Sequence, residues 1–484
     1  MGARACLLLV GLTALAAALR LSTLGLQSLW YDEAYTPVHV FHASIAATWH
    51  SYVHSENTPP LWYALQWPIV RLFGTGAVAM RMLSALAGIA TVPVAWAVGA
   101  QLQDAPGRPA SRRAAAVAAA LVATNPLFFW YSQEARAYAL FVLLAGVTLL
   151  CFLRALRDPS GARLWQFALA AALALATHYF ALFLLAPMVL WLVVRTRRAL
   201  VPLLLPVLVG VALMPLVLAQ GGHGTQWIGE WALASRLEAI PQYYLTGYSG
   251  AALGHGIELL VALVALAGVL YGLWRGLTRA EERGALIALV VLACGVLIPL
   301  ALALAGADYL APRNLVAAMV PLSALLAVVI AARRTGTVGL VLAGAMAVAF
   351  LALSVDVDLS PRLQRGNWHA VAAALGRGSR SRAIVTVELG AAPLELYLAP
   401  LANLAHSARV SVNEVVETGY APLRAGAGAP PAPGLRAAAR DEIDGLYVYR
   451  FTSANPVRIS EQALRESAIT QALHPEVLVP GSSG

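Results

Sequence analysis

The sequence predicts an all-α polytopic membrane protein with about eleven transmembrane helices and a small C-terminal α/β domain. Of the 484 residues, 60% are hydrophobic and only 12% are charged. A soluble domain carries about 25% charged residues. Apolar runs of roughly 20 residues, the length that crosses a bilayer core, recur up to about residue 354. Beyond residue 355 the apolar runs shorten and charge rises.

The apolar runs define the predicted spans in chain order. They are residues 5–24, 82–102, 114–131, 137–153, 164–179, 181–194, 199–219, 257–274, 284–305, 314–332 and 336–354. A further run, 60–73, is short and contains Pro68. We interpret it as an interfacial or re-entrant helix, because a span there would separate Arg4 from every later arginine cluster.

The formal net charge of +9 comes from arginines in short loops between the apolar runs. This is the pattern of cytoplasmic membrane loops, so we expect no nucleic-acid partner. The positive-inside rule then places 25–81, 131–136, 178–181, 220–256, 306–313 and the tail outside the cytoplasm. The three cysteines lie in apolar runs and have neither disulfide nor metal-site spacing.

The tail is predicted as a second domain, 356–484, after a membrane domain, 1–355. Residues 368–372 have a helical pattern, and 382–387 and 445–451 have the pattern of strands. The Pro- and Gly-rich stretch 422–434 indicates a loop or linker.

Asp32 and Glu33 follow the first predicted span directly. Paired carboxylates can act as a general base or hold a divalent cation, although an ordinary solvated turn also contains such residues. The neighbouring Trp30 and Tyr31 are of the type that lies at the headgroup level of a membrane. The motif is therefore a candidate catalytic acid pair close to the lipid phosphates.

Other polar residues on the predicted outer side are weaker candidates. His54 and Glu56 precede two prolines and could line the site or bind a metal, or could simply belong to a polar connector. Glu134 and Arg136 lie in a short turn, and ionisable residues at a membrane edge are often functional. His178 and Tyr179 end a predicted span, where a histidine is commonly structural.

Arginines on the outer side run against the positive-inside bias. Arg20, Arg81 and Arg313 either extend to lipid headgroups or bind a lipid-linked phosphate, which the planar guanidinium suits. The loop 220–256 carries several aromatic residues with acidic ones between them. It is predicted as an interfacial amphipathic helix or as a surface for stacking sugars.

Four ordered motifs together resemble the GT-C superfamily of membrane glycosyltransferases. They are Leu29-Trp30-Tyr31-Asp32-Glu33-Ala34, Thr58-Pro59-Pro60-Leu61-Trp62-Tyr63, Arg81-Met82-Leu83-Ser84-Ala85-Leu86 and Tyr131-Ser132-Gln133-Glu134-Ala135-Arg136-Ala137-Tyr138. Within that superfamily the chain is similar to the family 39-like proteins, which include the protein O-mannosyltransferases and the aminoarabinose transferase. The resemblance covers roughly the first 355 residues.

The resemblance implies a GT-C fold and an inverting transfer of a hexose or pentose (EC 2.4-type) from a polyprenyl-phosphate donor. The acceptor would be a lipid, a glycan or a protein outside the bacterial cytoplasmic membrane, in the cell envelope. Asp32 would be the general base, and Glu33 would position the acceptor or the loop. A divalent metal, Mg or Mn, is possible, with Asp32, His54 and Glu56 as its candidate ligands.

The resemblance also implies further roles. The candidates for stabilising the departing phosphate are Arg20, Arg81, Arg136 and Arg313. The candidates for lining the site are Tyr31, His54, Glu56, Glu134, Tyr138, His178 and Tyr179. The alternative function is a transporter or flippase of lipid-linked saccharides, which would need polar residues deep in several spans.

Overall fold

The computed structural model describes residues 2–103, 112–248, 255–376, 381–398, 400–471 and 474–481. The chain divides into two compact units. The membrane unit comprises Met1–Leu24 and Val53–Val357, and the C-terminal unit comprises Gly25–Tyr52 and Asp358–Gly484.

Eight helices of the described chain are long and apolar enough to cross a membrane. They are Ala3–Ser22, Ala77–Gln103, Tyr138–Arg157, Arg197–Gln220, Gly256–Arg275, Arg279–Leu304, Pro312–Ile330 and Arg333–Leu359. The pair Arg113–Thr124 and Pro126–Ser132 is bent by 56°, and the helices Gly161–Leu175 and Ala181–Arg195 are shorter. Together these helices occupy all of the runs predicted as spans, so the polytopic all-α fold is confirmed.

Shorter helices join the long ones in the membrane unit. Leu61–Phe73 occupies the run predicted as an interfacial or re-entrant helix. The predicted loop 220–256 contains the helices Gln226–Glu230 and Leu233–Thr246. The helix Ile45–Ser55, which the sequence pattern did not predict, has residues assigned to each of the two units.

The side chain of Asn125 stabilises the bend between the helices Arg113–Thr124 and Pro126–Ser132. The Asn125 carboxamide oxygen accepts hydrogen bonds from the amides of Leu127 and Phe128, which caps the helix that begins at Pro126. Its amide nitrogen donates to the carbonyl of Tyr244 at 2.7 Å. The polar residue is fully buried, and these hydrogen bonds offset the cost of removing it from water.

Close helix packing in this unit depends on glycine. A Cβ at Gly88 would lie 1.9 Å from the Ser132 hydroxyl and 3.1 Å from Nε of Arg20. A Cβ at Gly284 would lie 2.1 Å from the carbonyl oxygen of Leu102. Small residues let membrane helices approach closely. This packing matters because, in lipid, the burial of apolar surface contributes little to the association of helices.

The described residues of the C-terminal unit form the strands β1 (Arg382–Thr386), β2 (Leu401–Asn403), β3 (Arg409–Gly419), β4 (Arg436–Ile443), β5 (Leu446–Ser460) and β6 (Glu476–Pro480). These six strands make one sheet of order β2-β6-β1-β3-β5-β4. β1 and β3 pair in parallel, and the other pairs are antiparallel. The helices of this unit are Tyr31–Tyr35, the π-helical turn Thr36–Val40, Trp368–Leu375, Ala391–Leu398 and Glu461–Glu466.

The predicted helix at 368–372 and the strands at 382–387 and 445–451 correspond to Trp368–Leu375, β1 and β5. The predicted boundary after residue 355 lies two residues before the observed one, but residues 25–52 cluster with the C-terminal unit and not with the membrane unit. The physical reason is Trp30, which is buried in an apolar core with Trp368, Ile384 and Val448.

Candidate active-site residues

Asp32 and Glu33 lie in the first turn of the helix Tyr31–Tyr35 in the C-terminal unit. Asp32 is 7% exposed and Glu33 is fully buried. The turn is closed by the amides of Glu33 and Ala34, which both donate to the carbonyl of Trp30.

In the membrane unit, Glu56 forms a buried ion pair with Arg136. Nη1 of Arg136 lies 3.0 Å from both carboxylate oxygens of Glu56. The hydroxyl of Tyr63 donates to Glu56 at 2.7 Å and also contacts the Thr58 hydroxyl at 3.1 Å. Burial raises the pKa of Tyr63 well above its usual value, and the charge of Glu56 adds to the effect, so the phenol keeps its proton. The cluster joins two of the motifs recognised in the sequence.

Several aromatic rings pack against one another in the membrane unit and form what we call the aromatic wall. The rings of Tyr131 and Tyr138 lie 4.8 Å apart, and His178 lies 6.0 Å from Tyr138 and stacks on Phe141 at 4.6 Å. Glu134, in the turn between the two tyrosines, is 2% exposed. The hydroxyl of Tyr131 is buried and has no hydrogen-bond partner among the described residues. This wall therefore contains a hydroxyl donor that could serve a ligand.

His178 is a neutral donor held in one tautomer. Its Nδ1 accepts a hydrogen bond from the amide of Phe180 at 3.2 Å, which leaves the proton on Nε2. Burial, aided by the positive charge of Arg313, lowers the pKa of His178 to about 3. Nε2 is buried and has no partner within the part of the chain that the structure describes. Tyr179, the next residue, donates to Gln220 at 2.8 Å.

Arg313 is half-buried at the start of the helical segment Pro312–Ile330, with its guanidinium 4.6 Å from the ring centre of Trp227. The preceding loop is fixed by Arg236, which forms a two-pronged ion pair with Asp308 at 2.7 Å and donates to the carbonyl of Leu310. The guanidinium of Arg313 therefore lies on an aromatic face, at the end of a loop that the Arg236–Asp308 ion pair fixes.

Arg20 has a different environment, because its guanidinium donates to four protein acceptors. It is fully buried and donates to Ser132 and to the carbonyls of Ala16, Val122 and Ala123. This geometry favours a structural role in joining helices. Its predicted contact with a donor phosphate stays a prediction.

Arg81 is 1% exposed and donates to the carbonyl of Leu24 at 3.1 Å. Its predicted phosphate-binding role likewise stays a prediction. Both arginines differ from Arg313, which is only half-buried.

The described residues do not form a site that fits the predicted metal ion. They contain no group of three or more His, Cys, Asp or Glu side chains arranged to hold one. Both oxygens of Glu56 are occupied by Arg136 and Tyr63, and His54 is exposed at the end of its helix. The metal therefore stays a prediction, and no chemical step is assigned to it.

The sequence interpretation did not single out Tyr63, Tyr131 or Arg236 as site residues. Tyr63 and Tyr131 belong to the recognised motifs, so motif membership could have identified them. Arg236 lies 72 positions from its partner Asp308, and no sequence pattern connects the two.

The fold of the chain is similar to that of proteins of known structure. ArnT of Cupriavidus metallidurans in its apo state matches with a TM-score of 0.53 at 14% identity, over 97% of this chain and 100% of that one. The same protein bound to undecaprenyl phosphate matches with a TM-score of 0.43 at 16% identity, over 93% of this chain and 98% of that one. An oligosaccharyltransferase of Archaeoglobus fulgidus carrying an acceptor peptide matches with a TM-score of 0.47 at 14% identity, over 81% of this chain and 58% of that one.

The first of these similarities and the arrangement of spans define the class, a membrane protein with the GT-C glycosyltransferase fold. More narrowly, residues 57–220 match the sequence model of the dolichyl-phosphate-mannose-protein mannosyltransferase family. This match covers less than half of the chain, and together with the fold it supports the resemblance to the GT-C superfamily that the motifs indicated. The matched stretch includes Tyr63, Arg81, Arg136 and His178. No curated protein gives a significant match.

Proposed function

We propose that this protein transfers a sugar, with inversion, from a polyprenyl-phosphate donor to an acceptor on the outer side of a bacterial cytoplasmic membrane. The observation that carries the proposal is the group formed by Arg313, Tyr131 and His178, which offers a cation and buried donors in one unit. The matching family is described by a lipid-phosphate-linked mannose and a protein acceptor, which supports this donor class.

The group around Arg313 would stabilise the leaving phosphate. As the bond between the sugar C1 and the phosphate oxygen breaks, negative charge builds on the phosphate. Arg313 would supply the opposite charge, while the Nε2–H of His178 and the hydroxyl of Tyr131 would donate hydrogen bonds. Because the imidazole is neutral at working pH, His178 would contribute a donor without adding a second buried charge.

Asp32 would be the general base for the acceptor. An acceptor hydroxyl or amine attacks C1 from the face opposite the phosphate, its proton passes to the Asp32 carboxylate, and polyprenyl phosphate leaves with the bonding electrons. Attack from the opposite face inverts the anomeric centre. Glu33 would hold the loop or the acceptor, and Arg136, partly neutralised by Glu56, would have a weaker role at the phosphate.

The test uses the full-length protein in lipid nanodiscs with radiolabelled undecaprenyl-phosphate sugars, covering hexoses and pentoses. Membrane lipids, glycans and proteins serve as acceptors. The measurements are release of undecaprenyl phosphate, label in each acceptor fraction and the anomeric configuration of the product. Movement of intact donor between leaflets with no cleavage would overturn the proposal in favour of a flippase.

Two variants test the assigned roles. We expect Asp32→Asn to lower turnover by about 10²–10⁴-fold, the usual contribution of a general base. Arg313→Gln should lower it by about 10²–10³-fold through lost electrostatic stabilisation. The exposed ion-pair member Asp158 supplies the matched control Asp158→Asn, which should retain activity. Full activity of Asp32→Asn would overturn the base assignment.

A further inference from the structure

The segment before the acidic motif is built into the C-terminal unit. Oε1 of Gln27 accepts from the backbone and the side chain of Arg365, at 3.3 and 3.4 Å. The hydroxyl of Ser28 donates to the carbonyl of Gly366 at 3.2 Å. The amide of Leu29 donates to the hydroxyl of Tyr397 at 2.9 Å. Three consecutive residues are thus tied to groups more than 330 positions later in the chain.

Trp30 continues this attachment through packing. It is 6% exposed and belongs to the same apolar core as Trp368, Ile384 and Val448. Burial of a large aromatic side chain is strongly stabilising, so this core holds Trp30 in place.

Tyr31 lies against Tyr420, with ring centres 6.4 Å apart. Tyr420 is itself fixed, because its hydroxyl donates to the carbonyl of Arg365 and accepts from Nε1 of Trp368. A Cβ at Gly366, where φ is +78°, would lie 2.9 Å from that hydroxyl. Glycine is therefore required for Tyr420 to pack so close to this turn.

The attachment reaches Asp32 through the backbone. The amides of Glu33 and Ala34 donate to the carbonyl of Trp30, at 3.0 and 2.8 Å, and these bonds close the turn that carries Asp32. Because the core fixes the position of Trp30, it also fixes the first residues of the helix Tyr31–Tyr35. The helix Tyr31–Tyr35 also packs against the helix Ala391–Leu398, which carries Tyr397.

We propose that the C-terminal unit positions the catalytic base, and that Tyr397 is a positioning residue for Asp32. The inference rests on the proposed function, in which Asp32 is the base. Tyr397 contacts neither donor nor acceptor in this scheme. It acts through its hydroxyl, which accepts a hydrogen bond from the amide of Leu29, three residues before Asp32. A misplacement of about 1 Å in a catalytic group can cost on the order of 10²-fold in rate.

The experiment compares Tyr397→Phe with Tyr447→Phe in the full-length protein. Tyr397→Phe keeps the ring beside His369 but removes the hydroxyl that accepts from Leu29. Tyr447 is a half-buried residue of β5, and it alternates with Leu446 and Val448, which face the core around Trp30. It therefore serves as a matched tyrosine on the other face of the sheet.

We expect Tyr397→Phe to lower kcat about ten-fold, equivalent to about 1.4 kcal/mol, with the KM for the donor unchanged. Hydrogen exchange of the amides of residues 29–34 should become faster. Tyr447→Phe should change neither quantity. The substrate is the undecaprenyl-phosphate sugar that is active with the unmodified protein. Unchanged exchange and unchanged kcat in Tyr397→Phe would overturn the inference.

A double variant separates positioning from a general loss of stability. In the Asp32→Asn background, Tyr397→Phe should cause no further loss of turnover, because it acts only through Asp32. An additional ten-fold loss there would contradict the proposal. If Tyr397→Phe fails to fold, Tyr420→Phe keeps the ring beside Tyr31 but removes the hydroxyl bonded to Arg365 and Trp368, and it tests whether the C-terminal unit positions Asp32.

The two proposals fail in different ways. Full activity of Asp32→Asn would overturn the proposed function itself. Loss of activity in Asp32→Asn together with normal kcat and exchange in both Tyr397→Phe and Tyr420→Phe would overturn only the positioning role.

Discussion

The ion pair between Glu56 and Arg136 should be one of the most sensitive points in the membrane unit. Glu56 is 2% exposed, and the side chain of Arg136 is 19% exposed. The change Glu56→Gln keeps the shape of the side chain but removes its charge. Arg136 would then be a largely buried cation without its carboxylate, and Tyr63 would donate to a neutral amide.

The magnitude follows from the contacts that are lost. Breaking a buried ion pair by removing one partner costs about 3–5 kcal/mol, and the partial exposure of Arg136 favours the lower end. Tyr63→Phe removes a 2.7 Å hydrogen bond to a charged acceptor, which contributes about 1.5–3 kcal/mol. Because the bond to a neutral amide is weaker, the double variant should cost about 1 kcal/mol less than the sum.

The assay is reversible unfolding of the full-length protein in mixed micelles, followed by tryptophan fluorescence. Glu282→Gln is the matched control, since Glu282 is exposed, and its unfolding free energy should change by less than about 0.5 kcal/mol. If Glu56→Gln proved as stable as the unmodified protein, the ion pair would have no structural importance. Strict additivity with Tyr63→Phe would show that the two contacts act independently.

Three further predictions concern stability. Gly88→Ala should lower the melting temperature, at a cost of about 2 kcal/mol, because the new methyl group overlaps the Ser132 hydroxyl; an unchanged melting temperature would contradict this packing. Hydrogen bonds from Arg236 lower the pKa of Asp308, so its stabilisation is present at neutral pH and is lost as the pH falls through that lowered pKa. Asp308→Asn should therefore be less stable at pH 7, with the difference shrinking in acid, and a constant difference would refute the assignment. Burial raises the pKa of Glu417 to about 7, so its contribution is present below about pH 4.3 and is lost as the pH rises through about 7. The melting temperature of Glu417→Gln, measured relative to that of the unmodified protein, should therefore be higher at pH 8 than at pH 5. An equal difference at the two pH values would contradict the raised pKa of Glu417.

The spans could be predicted because hydropathy is a local property of the chain. Each predicted run contains a helix, even where a polar residue such as Asn125 bends it. In the C-terminal unit, β1 and β5 were predicted from alternation or apolar content. β4 was missed because it is an edge strand with exposed residues such as Ala437 and Asp441, and no apolar periodicity marks it.

The placement of residues 25–52 could not be predicted, because it depends on partners far away in the chain. Trp30 was interpreted as a residue of the membrane interface, the usual place for an aromatic side chain next to a span. In the structure its ring is part of a protein core built mainly from residues after 368. Hydropathy indicates that such a ring is buried, but it does not distinguish lipid headgroups from a second domain.

The arginines show the same limit within the candidate site. Arg20 and Arg313 both lie near the predicted outer face, and both were predicted to bind phosphate. Their surroundings differ, because Arg20 donates to one hydroxyl and three carbonyl oxygens, whereas Arg313 is half-buried on the face of Trp227. Arg20→Gln removes several of these hydrogen bonds from a fully buried position and should therefore lower the melting temperature. Under the proposed function, Arg313→Gln should weaken binding of undecaprenyl phosphate. An unchanged melting temperature in Arg20→Gln would refute its structural role, and unchanged binding in Arg313→Gln would refute its role at the phosphate.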